Sequence, residues 1–172
     1  MHLIEPCCAQ KHLLALRESI EPDKTASFHG YGDLSVAELL PALLIRYCET
    51  EMLFVAPSLP DEAAETLKGV MHMQRAKMTG RGNLDVVSHL TLVTDLSERK
   101  SPLASLWLRE NPFADRLTLR NVQQNDTAIL LPDIALWGPM NLTYGGHFTA
   151  MATENERLMS EMRKNYEHLH QK

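Results

Sequence analysis

The sequence predicts an α/β protein in which a mixed β-sheet is flanked by helices. Two observations lead there. Short apolar runs alternate with amphipathic stretches as far as residue 109, and several strand-like runs then cluster between Arg116 and Trp137. Strand–helix alternation followed by clustered strands builds a sheet with both parallel and antiparallel neighbours.

Cys8 to Ile20 reads as a short amphipathic helix lined by Leu13, Leu14, Leu16 and Ile20. Glu21-Pro22-Asp23-Lys24 breaks it, so residues 1–23 are expected to form a helical appendage to a domain spanning 24–172. A strand is expected over Thr25–His29, with Gly30-Tyr31-Gly32-Asp33 turning the chain. Ser35 with Glu38 is a capping-box pair that opens a helix to about Cys48, and Pro41 should kink it. Met52–Ala56 is wholly apolar and suits a strand buried on both faces. A helix follows from Asp61 to about Met73, acidic at its start as the helix dipole prefers. Gln74–Asn83 is basic and bears glycine, so a loop is expected there.

The next strand centres on Leu90–Thr94. Ser101–Arg109 reads as a helix with Ser101 as its cap and Pro102 at its first position. Arg116–Val122 alternates as a strand does. Thr127–Leu131 and Ile134–Trp137 form two short strands around Pro132-Asp133, and His147–Ala152 forms another. Glu154–His168 closes the domain as a helix, with Leu158, Met162, Tyr166 and Leu169 on one stripe.

Composition limits the function classes. A chain of 172 residues, 44% hydrophobic and 23% charged, has the makeup of a globular domain and needs no disulfide or metal to fold. The net charge of −5 disfavours nucleic acid and anionic membrane surfaces as partners. Cys7, Cys8 and Cys48 show no CxxC spacing, so free thiols in a reducing cytoplasm are expected, with no metal and no cofactor. No secretory leader and no apolar run of membrane-spanning length is apparent.

Residues 122–143, VQQNDTAILLPDIALWGPMNLT, carry a resemblance. The phospholipase D-like superfamily has a signature of His-x-Lys, four residues, an Asp, six residues, then Gly-Ser-x-Asn, often with Leu-Thr after it. Gly138, Asn141, Leu142 and Thr143 stand where that signature has them, with the two short strands between and no gap. Over about residues 25–172 the element order resembles that of the small single-domain bacterial endonucleases of the superfamily. The resemblance implies a phospholipase D-like α/β sandwich and a homodimer.

It also implies a degenerate site. The family's nucleophilic His corresponds to Gln124, a neutral amide that neither attacks phosphorus nor passes a proton near neutral pH. The family's Lys corresponds to Asp126, which inverts the charge facing a phosphodiester. Its Asp corresponds to Leu131, and the Ser of Gly-Ser corresponds to Pro139.

Other residues were weighed for chemistry. His29 at a strand end and His147 after Gly145-Gly146 are candidate cleft residues, each with an ordinary turn or strand-edge histidine as the alternative. Arg75, Lys77 and Arg81 are a candidate phosphate-contacting loop, with solvated charge as the alternative. Aromatic residues are 6% of the chain and none interleaves with that basic cluster, which argues against a stacking platform for single strands. The nine methionines fit core and interface packing.

The expected function is thus a catalytically inactive, dimeric binding or scaffold module. Charge favours a protein partner over nucleic acid, although the family's nucleases connect such a module with nucleic-acid processes. The alternative is a divergent phosphodiesterase or nuclease with a relocated site on His29 or His147.

Overall fold

The computed structural model describes residues 25–31, 36, 39, 40, 43, 50–79, 89–140, 142 and 147–169. The N-terminal appendage, the capping box and Pro41 lie outside the described residues.

Seven strands form one sheet: β1 (Thr25–Tyr31), β2 (Glu51–Val55), β3 (His89–Thr94), β4 (Leu117–Asn121), β5 (Ala128–Leu130), β6 (Ala135–Trp137) and β7 (His147–Thr153). Their order is β1-β7-β6-β5-β2-β3-β4. β2, β3 and β4 run parallel, and β2–β5, β5–β6, β6–β7 and β7–β1 are antiparallel. The parallel part needs crossovers, supplied by α1 (Asp61–Thr79) between β2 and β3, and by α2 (Pro102–Ser105) with the 3-10 turn Leu106–Leu108 between β3 and β4. The antiparallel part needs only a tight connection at β5–β6, where the Leu131 N–H donates to the Ile134 carbonyl at 2.9 Å. α3 (Glu156–Glu167) ends the order of elements.

Strand alternation sends apolar side chains to both faces. Met52, Phe54, Leu90, Leu92, Ile129, Leu136, Ala150 and Ala152 join one large cluster, with Ala63, Ala64, Leu67, Val70 and Met71 of α1. Val36, Leu39, Leu40 and Leu43 are helical and buried in that same cluster, at the spacing of one helical stripe. Leu53, Val55, Val93, Ala128, Leu130 and Ala135 face the other way and meet Met159, with Met162, Tyr166 and Leu169 packed around them. Met162, Tyr166 and Leu169 of this layer belong to the stripe read from the sequence, with Met159 rather than Leu158 as its buried member.

Four local expectations are corrected. β1 runs through Gly30 and Tyr31, because both pair with β7, opposite Phe148 and His147. α1 continues past Met73 to Thr79, so Arg75 and Lys77 are helical rather than in a loop. Gln, Arg, Ala, Lys and Met all favour helix, and that propensity outweighs the basic character of the stretch. Ser101 makes no side-chain cap bond to α2. Its hydroxyl instead donates to the Asp95 carbonyl at 2.7 Å and accepts from Leu59 N–H at 2.8 Å, tying the ends of β3 and β2 together. The cap of α3 is Asn155, whose side chain accepts from Leu158 N–H at 3.0 Å, so the helix starts at Glu156 rather than Glu154.

Candidate functional site

The β4–β5 connection, the end of β6 and the inner stripe of α3 enclose a cavity of about 570 Å³. Asn125, Asp126 and Thr127 form one wall, Trp137, Gly138 and Pro139 a second, and Leu158, Met162 and Tyr166 the third. The last three are four residues apart in succession, which places them one above another on the helix.

Local chemistry shapes each wall. The Gln124 side-chain oxygen accepts from Asp126 N–H at 2.6 Å, closing a small loop that presents Asp126 outward. Gly138 has φ of +135°, in a region that side chains avoid. A Cβ there would also stand 3.0 Å from the Thr149 carbonyl oxygen of β7. Its N–H donates to the Thr127 carbonyl at 3.1 Å, so the glycine joins the β5 and β7 sides of the site. At the far end of α3, an Arg120 Nη1 donates to the Glu167 carbonyl at 2.8 Å and ties the helix to edge strand β4.

Among the described residues, two ionisable groups line the cavity, Asp126 and Tyr166. Tyr166 is half-buried beside the Asp126 carboxylate. Burial first, and then the neighbouring carboxylate, raise the phenol above its ordinary value of 10.0. Asp126 itself is exposed. Among the described residues, no group of three or more His, Cys, Asp or Glu could hold a metal ion, and no helix is long and apolar enough to cross a membrane.

The residues predicted from the sequence separate into three groups. Asp126, Gly138 and Pro139 line the cavity together. Gln124 precedes Asp126, with its Nε2 buried and without a hydrogen-bond partner among the described residues. Leu131 belongs to the large cluster on the opposite face of the sheet and is 1% exposed. His29 stands opposite Thr149 and His147 opposite Tyr31, so the two histidines are one pleat apart on paired strands β1 and β7. Their side chains lie outside the described residues, as do Asn141, Arg81 and the side chains of Arg75 and Lys77. Trp137 and Tyr166 were not singled out from the sequence as site residues. Both occupy ordinary core-facing positions in their elements, and only the cavity sets them apart.

No protein-family model and no curated protein matches the chain. Solved structures do. NucT from Helicobacter pylori superposes with a TM-score of 0.53, over 85% of this chain and 96% of its own, at 10% identity. Nuc from Salmonella typhimurium, a phospholipase D family member, gives 0.54 over 85% and 94%, at 18% identity. Polyphosphate kinase from Porphyromonas gingivalis gives 0.53 over 96% of this chain but 26% of its own, at 13% identity. The seven-stranded mixed sheet with its flanking helices shares the fold of NucT and of Nuc.

Proposed function

We propose that this chain is a catalytically inactive phospholipase D-like domain that dimerises in the cytoplasm and serves as a binding or scaffold module. One observation carries this reading. The segment that resembles the family signature does border a cavity, but it brings there a carboxylate, Asp126, a glycine and a proline. Phosphoryl transfer needs a nucleophile and positive charge around the transferred group. At the corresponding positions this chain has a buried amide, a carboxylate and a core leucine. The net charge of −5 supports a protein partner over nucleic acid. The test is hydrolysis of bis(p-nitrophenyl) phosphate and nicking of plasmid DNA, each with and without Mg²⁺, Mn²⁺ or Zn²⁺. The expected result is no turnover above buffer, and light scattering is expected to give twice the 19.5 kDa chain mass.

A second reading keeps one favouring observation, the paired register of the strands that carry His29 and His147. It is a divergent phosphodiesterase or nuclease whose site has moved to those strands. Turnover that disappears in both His29→Ala and His147→Ala would establish it and sink the first reading.

A further inference from the structure

The cavity under α3 differs from a phosphate site in what it lacks as well as in what it holds. Among the described residues, its lining includes one carboxylate, two aromatic rings, a thioether and a leucine, and no Lys, Arg or His. A phosphate group placed there would meet negative charge without compensation. A cation would meet the opposite. Asp126 supplies the charge, and the faces of Trp137 and Tyr166 supply the π-density that attracts ammonium groups. Leu158 and Met162 offer an apolar bed for a hydrocarbon stem.

We propose that this cavity binds an organic ammonium ion with an apolar body, seating the cation between Asp126, Trp137 and Tyr166. The inference deepens the non-catalytic reading above and rests on it. Volume favours a whole small molecule over a single inserted side chain, since about 570 Å³ falls within the 300–1,000 Å³ usual for small-molecule sites. The exposed Asp126 carboxylate offers about four acceptor positions, so acceptors are available for an ammonium N–H. The nearby cation Arg120 does not fill this role. One of its Nη–H groups is directed to the Glu167 carbonyl, and it is not among the lining residues.

Two sources share this chemistry, a free amine and a lysine side chain presented by a polypeptide. The test titrates the full chain at constant ionic strength with phenethylamine, with its neutral isostere propylbenzene, with the blocked tripeptide acetyl-Gly-Lys-Gly-amide, and with inorganic phosphate. Calorimetry and tryptophan fluorescence are the readouts. Trp137→Phe identifies the reporting ring, because Trp107 is 5% exposed in the core. Phenethylamine is expected to bind and perturb Trp137. Affinity should fall about five- to tenfold in Asp126→Asn and further in Asp126→Lys. Tyr166→Phe, which retains the ring, should cost less than either. Tighter binding of the tripeptide would support the site and assign it to polypeptide lysine. Equal binding of the neutral isostere, preference for phosphate, no binding of either amine, or an Asp126→Asn affinity equal to that of the parent would overturn the proposal. Phosphodiesterase assays on the same samples keep the two readings apart. Turnover would remove the non-catalytic reading, whereas absent amine binding without turnover would remove this inference alone.

Discussion

The two faces of the sheet are filled very differently. On one, α1 and the helical residues Val36, Leu39, Leu40 and Leu43 complete a continuous cluster that takes in Phe54, Leu90, Leu92, Trp107 and Phe113, most of them wholly buried. On the other, among the described residues, a helix of twelve residues covers a smaller cluster, and Met159 is its one buried side chain. Trp137, Met162 and Tyr166 are packed there but half-open, and the cavity lies among them. A close-packed layer sets the shape of the sheet, while an underfilled layer leaves space for a ligand. Stability and binding are therefore expected to separate by face.

Truncation tests that separation most strongly. Phe54→Ala on the filled face should cost about 3–5 kcal/mol in urea unfolding, since the ring is 0% exposed and its neighbours are locked. Met162→Ala, half-buried beside the cavity, should cost about 1 kcal/mol or less while altering the site. Equal losses at the two positions would break the comparison. Gly138→Ala should cost about 1–3 kcal/mol, because it adds a Cβ at a φ of +135° and 3.0 Å from a β7 carbonyl. Because that glycine lies at the seam between the sheet and the cavity, amide exchange should rise in both β5 and β7.

Much of this division was legible in the sequence, for physical reasons that vary along the chain. Met52–Val55 and Leu90–Val93 are apolar at every or nearly every position because both sheet faces are covered, and such runs identify central strands directly. The α3 stripe of Leu158, Met162 and Tyr166 was equally plain from its period. The end of α1 was not. Basic residues and a following glycine look like a loop, and helix propensity decided otherwise through Thr79. Ser101 carries the signature of a cap, but a long-range partner, Leu59 N–H, claimed its oxygen. The cavity was legible in part. Asp126, Gly138 and Pro139 were marked by the signature register, whereas its pairing with Tyr166 joins positions forty residues apart in sequence and follows from the sheet order.

Acid sensitivity should centre on the turn that follows β3. Asp95 is 3% exposed there. Its carboxylate accepts from Ser97 N–H at 3.0 Å and pairs with Lys100 at 3.3 Å. The Ser97 backbone and side-chain bonds, with Lys100 adding to them, hold its carboxyl below the ordinary value of 3.8 against the opposing effect of burial. A folded value below the unfolded one means stabilisation that is present above pH 3.8 and is lost as the pH falls through the folded value. Asp95→Asn should therefore lower stability by about 1–2 kcal/mol at pH 7 and flatten the acid limb of a stability–pH curve. An unchanged acid limb would assign that sensitivity to other carboxylates.

The smallest effect belongs to the open face and has the opposite sign. Tyr166 is raised above 10.0 by burial first and by Asp126 second. A folded value above the unfolded one gives stabilisation that is present below pH 10 and disappears as the pH rises through the folded value. Absorbance titration of tyrosinate, with Tyr166→Phe subtracted to isolate this ring, should show the shift directly. Asp126→Asn should move Tyr166 back toward 10.0 without reaching it, because burial under α3 remains when the charge is removed. A full return would mean that the ring is as wet as a free phenol and that α3 does not shield the cavity. No movement would mean that the carboxylate and the phenol are uncoupled in solution. Only a partial return fits a face that is covered by one helix but left open at Asp126.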